Sequence, residues 1–82
     1  MLQDLKNQKM RVVGLKQTLK SVQAGEAKQV FLARDVDEYI EDMVTEECQR
    51  HGLSIIYIDT MEELGKACGI SIGAATAAIL KG

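Results

Sequence analysis

The sequence contains no proline and no tryptophan, and its only aromatic residues are Phe31, Tyr39 and Tyr57. Proteins that grip single-stranded nucleic acid by stacking need several aromatic side chains on one surface, so this composition argues against a stacking platform. The N-terminus has no apolar signal region, and no apolar run approaches the length that spans a membrane. We therefore expect a soluble, cytoplasmic protein with no membrane partner.

Residues that bind metals or carry redox chemistry are also scarce. Cys48 and Cys68 do not form a CxxC pair, and His51 is the only histidine. Both cysteines fall on apolar helix positions, which favours small buried hydrophobes. No nucleophile with a neighbouring base and no carboxylate pair stands out. The sequence thus predicts no enzyme, no catalytic residue, no metal site and no cofactor.

The 82 residues are 46% hydrophobic, which is enough for one compact core and too few for a two-domain enzyme. No repeat or linker interrupts the chain, so we expect a single domain over residues 1–82. The net charge of -2 is unevenly distributed, because residues 1–34 carry a balance of +5 and residues 35–82 a balance of -7. This division favours the binding of an anionic partner by residues 1–34, although lysines that are simply solvated on helix surfaces would also account for it.

The most informative segment runs from Val12 to Lys20, where a short apolar run ends at Gly14 and a helix-forming sequence begins. Glycine allows a close approach by a ligand, and the unpaired N–H groups of a helix start attract anions. Lys16 and Lys20 lie one helical turn apart, and Gln17 lies beside Lys20 at i, i+3. The segment therefore predicts an exposed anion-binding helix start.

Apolar periodicity predicts strands that alternate with helices, and hence a three-layer α/β/α sandwich. The predicted elements are a weak helix at Leu2–Gln8, a strand at Met10–Val13, a helix at Leu15–Ala24, a buried strand at Val30–Ala33, a helix that starts near Val36 and is ended by Gly52, a buried strand at Ser54–Ile58 and a short helix from Thr60 to Cys68. The tail, residues 70–80, fits either a helix or a last buried strand, since alanine favours the former and alternation permits the latter.

The second long helix has the clearest pattern. Asp35 or Asp37 is expected to cap it, and Thr60 with Glu63 predicts a capping box on the following helix. The inner face of the second long helix is expected to hold Val36, Tyr39, Ile40, Met43, Val44 and Cys48. Its outer face, which we interpret as solvated and not as a metal site, holds Asp37, Glu38, Glu41, Asp42, Glu46 and Glu47.

Three segments, Gly14–Lys20, Val30–Asp35 and Leu64–Ala75, stand in an order and at distances that resemble a known family. The chain resembles the kink-turn RNA-binding ribosomal proteins of the L7Ae type, most closely the short bacterial YbxF-like members. The resemblance covers nearly the whole chain. It implies an α/β fold, a single-domain α/β/α sandwich with a central mixed four-stranded sheet, in which the tail forms a strand.

The resemblance also implies a function and a partner. The expected function is non-catalytic recognition of kink-turns, which are RNA duplexes bent at a bulge followed by tandem sheared G·A pairs. Ribosomal RNA and riboswitches both offer such motifs, and the family implies a ribosome-associated role. We expect a monomer, because the domain is small and polar. The alternative is a protein-protein interaction module on the same fold, without RNA binding.

The resemblance places the site on the first long helix and on the loop before the tail. Lys20 would donate to guanine O6 and N7, and the Gln17 carbonyl would accept from a guanine amino group. Lys16 stands where archaeal and eukaryotic members have asparagine, so its target is either base or phosphate. The expected RNA-binding residues are Gly14, Leu15, Lys16, Gln17, Lys20, Arg34, Lys66, Ile70, Ser71, Ile72, Gly73 and Ala74.

The loop at residues 70–73 would cover the bulged nucleotides, with apolar contacts from Ile70 and Ile72. Burial of these two isoleucines in the core is the alternative. Gly73 replaces a proline that is frequent in the family, which predicts a more flexible loop. Arg34 and Lys66 are candidates for phosphate contacts, although exposed charge explains them almost as well.

Overall fold

A computed structural model describes residues 1–82 as a four-stranded sheet between two helical layers. The elements are an N-terminal 3₁₀ helix at Leu2–Lys6, β1 at Arg11–Val13, α1 at Leu15–Gln23, β2 at Ala27–Ala33, α2 at Glu38–Arg50, β3 at Ile55–Ile58, α3 at Met61–Ala67 and β4 at Thr76–Leu80. The strand order is β1-β4-β2-β3, with β4 antiparallel to both neighbours and β2 parallel to β3. The predicted α/β/α sandwich with a mixed sheet is confirmed, and the tail forms strand β4.

Strand β2 is the centre of the core. Val30 and Leu32 pack into a cluster with α1 and α2, whereas Phe31 and Ala33 pack with the 3₁₀ helix and α3 on the opposite face. All four side chains are buried, because helices cover the sheet on both sides. The prediction of a strand buried on both faces is confirmed here.

Two aromatic residues, one on β3 and one on α2, are more exposed than the sequence predicts. Strand β3 lies at the edge of the sheet, where the Tyr57 residue is 37% exposed. On α2, Tyr39 is 62% exposed, because only one side of this helix faces the sheet and the predicted inner face was too wide. Glu47 was expected on the solvated face but is 8% exposed, with its carboxylate 2.5 Å from the Arg50 guanidinium.

The helix caps differ from the prediction in one place. Asp37 is the N-cap residue of α2, but its side chain makes no capping hydrogen bond. The Asp35 carboxylate instead accepts the Met61 N–H of α3 at 2.8 Å. The Thr60 hydroxyl accepts the Glu63 N–H at 3.0 Å, which confirms that part of the predicted capping box. Asp35 therefore serves a helix that is distant in sequence, since the ends of β2 and β3 lie side by side.

Strand direction brings several loops to one edge of the sheet. Because β1, β2 and β3 are parallel to one another and antiparallel to β4, their carboxyl ends meet the start of β4. We call this the carboxyl edge. The Gly14 N–H donates to the Thr76 carbonyl at 2.8 Å, and the Ala33 N–H donates to the Ala75 carbonyl at 2.9 Å. The loop before β4 and the first residue of β4 are thus hydrogen-bonded to the last residue of β2 and to the first residue after β1.

Both cysteines are buried and free, as the sequence predicts. Burial raises the pKa of the Cys48 thiol, and the neighbouring Glu47 charge raises it further. Burial also raises the pKa of the Cys68 thiol, against a smaller opposing effect of Arg11. Neither thiol is therefore activated as a nucleophile. The helices are short, and none has the length and apolar character needed to cross a membrane.

Two buried threonines provide a matched test of hydrogen bonding in this core. The Thr18 hydroxyl has no hydrogen-bond partner, whereas the Thr76 hydroxyl donates to the Phe31 carbonyl at 2.5 Å. We expect Thr18→Val to raise the free energy of unfolding by about 1 kcal/mol, because valine has the same shape and no unsatisfied hydroxyl. Thr76→Val should lower it by about 1 to 3 kcal/mol. Urea denaturation measures both, and destabilisation by Thr18→Val would contradict the first expectation.

Candidate nucleic-acid interface

The start of α1 is open at the carboxyl edge. Gly14 is its N-cap residue, with φ 100° and ψ 160°. The first hydrogen bond of the helix joins the Thr18 N–H to the Gly14 carbonyl at 3.0 Å, so the preceding N–H groups of Leu15, Lys16 and Gln17 have no acceptor. A Cβ on Gly14 would meet no atom within 4 Å. Backbone conformation, and not crowding, therefore requires glycine here.

Three polar side chains of α1 surround this open helix start. Lys16, Gln17 and Lys20 are exposed, and neither lysine forms an ion pair with a carboxylate. Leu15 is half-buried and packs against the core, so it offers the interface its N–H and not its side chain. The helix start thus combines three unpaired N–H groups, two free ammonium groups and one carboxamide.

The loop between α3 and β4 presents one apolar side chain to solvent. Ile72 is 73% exposed, whereas Ile70 is half-buried and packs against the core. The two isoleucines therefore take different roles in the structure. Ser71 and Gly73 are exposed, but Ala74 is only 3% exposed and its N–H donates to the Met61 carbonyl at 3.0 Å. The Ala74 side chain and N–H consequently do not face the interface.

The other two expected cations are paired. Arg34 follows β2 at the carboxyl edge, where its Nε lies 3.6 Å from a carboxylate oxygen of Asp59 and its Cζ lies 4.9 Å from the Tyr57 ring centre. Lys66 on α3 has its Nζ 3.7 Å from a carboxylate oxygen of Glu62. These exposed pairs add little to stability, but they reduce the free positive charge at that end.

Charge therefore changes sign along the carboxyl edge. The free cations stand on α1, which follows the first strand of the sheet. The segments that start α2 and α3, which follow β2 and β3, carry Asp35, Asp37, Glu38, Asp59, Glu62 and Glu63. A polyanion is attracted to the α1 end and repelled from the β3 end. No three ligand-type side chains converge to hold a metal ion.

Two residues that shape this edge were not identified from the sequence. Met61 and Gly65 contact the loop at residues 70–74 through their backbones, one helical turn apart on α3. The signal for Gly65 was a glycine inside a predicted helix, which costs about 1 kcal/mol relative to alanine and suggests a close backbone contact. Met61 gave no such signal, because its contact uses backbone atoms that every residue has.

The conformation of Gly14 can be tested against a second glycine. We expect Gly14→Asn to lower the free energy of unfolding by about 1 to 3 kcal/mol, because this combination of φ and ψ is open almost only to glycine. Gly25 is the control, since it ends α1 with φ 72°, a left-handed conformation that asparagine adopts readily. Gly25→Asn should therefore cost less. Urea denaturation compares the two variants, and equal losses would contradict the assignment.

Comparisons with known proteins identify the family. The family model of the ribosomal protein L7Ae/L30e/S12e/Gadd45 family matches residues 1–82. The chain is 53% identical over 68 residues, 83% of each chain, to an RNA-binding protein of Caldanaerobacter subterraneus subsp. tengcongensis. It is 41% identical over 70 residues, 85% of each chain, to the RNA-binding protein YbxF of Geobacillus stearothermophilus.

A solved structure agrees with these relatives. The 15.5kD RNA binding protein of Giardia lamblia superimposes with a TM-score of 0.84 at 28% identity, covering 99% of this chain and 71% of that chain. The resemblance seen in the sequence is confirmed, including its similarity to the short bacterial proteins. The chain belongs to the ribosomal protein L7Ae/L30e/S12e/Gadd45 family.

Proposed function

We propose that residues 1–82 form a single, non-catalytic RNA-binding domain that recognises kink-turns as a monomer. The main support is the open start of α1, where unpaired N–H groups and the free cations Lys16 and Lys20 lie at the same edge as the exposed Ile72. The proposal is also supported by similar proteins that are named RNA-binding proteins.

The proposed partner of α1 is the opened groove of a bent RNA. Regular A-form RNA has a deep, narrow major groove that side chains do not read, so proteins recognise irregular elements. In a kink-turn, the helix start would enter the widened groove with its N–H groups on phosphate oxygens. Lys20 would donate to guanine O6 and N7, and the Gln17 carbonyl would accept from a guanine amino group.

The loop before β4 would contact the bulge. Ile72 offers an apolar side chain that the protein itself leaves exposed, and an unstacked base offers an apolar face to cover it. The Ser71 hydroxyl lies beside Ile72 in sequence and is exposed, so it would meet a polar edge of the same nucleotide. Helix α1 would thus hold the G·A pairs while the loop holds the bulge.

The charge distribution orients the RNA on this edge. Phosphates would lie over α1, and the acidic starts of α2 and α3 would keep them from the β3 end. Arg34 and Lys66 would reach phosphates only by opening their pairs with Asp59 and Glu62. Ribosomal RNA and riboswitches are the proposed targets, and the proposal includes a ribosome-associated role in the cell.

Lysine substitutions at the two ends of the molecule test the role of α1. We expect Lys20→Ala to cost about 1 to 3 kcal/mol of binding free energy on a kink-turn duplex, because a buried guanine contact is lost. Lys28→Ala is the matched control, since Lys28 is exposed near the start of β2, at the far end of the sheet. It removes the same charge and should change binding little. Unchanged affinity after Gln17→Ala with Lys20→Ala would overturn the proposal.

The target of Lys16 is decided by the salt dependence of binding. If its ammonium contacts a phosphate, Lys16→Ala reduces the slope of log affinity against log salt by about one. We expect this result, because Lys16 is exposed beside the unpaired N–H groups that would bind phosphate. Calorimetric titrations at several salt concentrations measure the slope. An unchanged slope with a lower affinity would assign Lys16 to a base instead.

A further inference from the structure

We propose that Gly65 is a positioning residue for the RNA interface, which holds the loop so that Ile72 meets the bulged nucleotide. This inference rests on the proposed function. Gly65 is buried inside α3, and the atoms nearest to a Cβ at this position all belong to Ile72 and Gly73, so its effect on RNA would pass through the loop.

The contact between Gly65 and the loop is made by backbone atoms. A Cβ on Gly65 would lie 2.1 Å from the Ile72 carbonyl oxygen and 3.1 Å from the Gly73 Cα. The Gly65 carbonyl also accepts the Ile70 N–H at 3.1 Å. No flexible side chain is present to move aside, so any larger residue at position 65 must displace the loop itself.

A second contact holds the same loop one helical turn earlier on α3. The Met61 carbonyl accepts the Ala74 N–H at 3.0 Å, and a Cβ on Gly73 would lie 3.2 Å from the Met61 Cβ. Residues four apart lie on one face of a helix, so α3 supports the loop along a single face. The start of α3 is fixed in turn, because the Met61 N–H donates to the Asp35 carboxylate at 2.8 Å.

These contacts restrain the chain on both sides of Ile72. Ile70 anchors the loop in the core, Gly73 and Ala74 rest on the first turn of α3, and Ile72 projects between them with 73% of its surface exposed. A proline at position 73 would restrict the backbone, whereas Gly73 does not. Packing against α3 restrains the loop in place of a proline ring. A restrained loop loses less conformational entropy on binding, which favours affinity.

A double-mutant cycle tests the inference. Gly65→Ala, Ile72→Ala and the double variant are titrated with a kink-turn duplex, and thermal melts check that each is folded. We expect each single variant to bind about tenfold more weakly, since both remove the contact of one apolar side chain with a base. The double variant should bind about as well as either single variant, because Gly65 acts through Ile72. Losses that multiply would contradict the inference.

The same duplex with abasic residues in the bulge provides an independent readout. Wild type and Gly65→Ala should bind this RNA equally, because no base remains for Ile72 to contact. A Gly65→Ala loss of the same size on both RNAs would show a general structural effect and overturn the inference. If wild type binds the intact kink-turn and Gly65→Ala binds it equally well, only the role of Gly65 fails. If wild type does not bind the kink-turn, the proposed function itself fails.

Gly73→Ala covers the case in which Gly65→Ala does not fold. Its Cβ would press on Met61 at 3.2 Å, which a shift of a few tenths of an ångström relieves. We expect a smaller loss of affinity in the same direction, again absent in the Ile72→Ala background. Unchanged affinity of Gly73→Ala for the intact kink-turn would contradict the inference.

Discussion

The pairing of β4 between β1 and β2 determines where every group of the proposed interface lies. Because β4 runs antiparallel to both strands, its first two residues lie beside the ends of β1 and β2, as the pairs Val13↔Ala77 and Leu32↔Thr76 show. The open start of α1 and the loop that precedes β4 are thereby brought to one edge, joined by the bond from Gly14 to Thr76. Two segments far apart in sequence thereby form one surface.

Charge divides this edge into a positive part on α1 and an acidic part at the starts of α2 and α3. A net charge of -2 conceals the division, which follows from the order of the segments along the sheet. The cations at positions 16, 20, 34 and 66 are all exposed, but their surroundings differ. Lys16 and Lys20 are free, whereas Arg34 and Lys66 have carboxylate neighbours.

The sequence predicts those features that depend on neighbours along the chain. The apolar run at Val30–Ala33 indicates a covered strand, and the glycine before Leu15 indicates an open helix start, since both signals are local. Periodicity cannot tell where the neighbouring element ends, which is why Tyr39 was placed inside and Glu47 outside. The edge position of β3 and the Asp35 bond to α3 depend on strand order. The alanine-rich tail fits two structures locally, and only its pairing in the sheet makes it a strand.

Titration of the protein with two RNA duplexes tests the central claim most directly. One duplex contains an intact kink-turn, and the other has its tandem G·A pairs replaced by Watson–Crick pairs while the bulge is kept. The account predicts a strong preference for the intact kink-turn, because only that RNA opens its groove to α1 and presents guanine edges to Lys20 and Gln17. Equal binding to both, or binding to neither, would contradict it and direct attention to a protein partner.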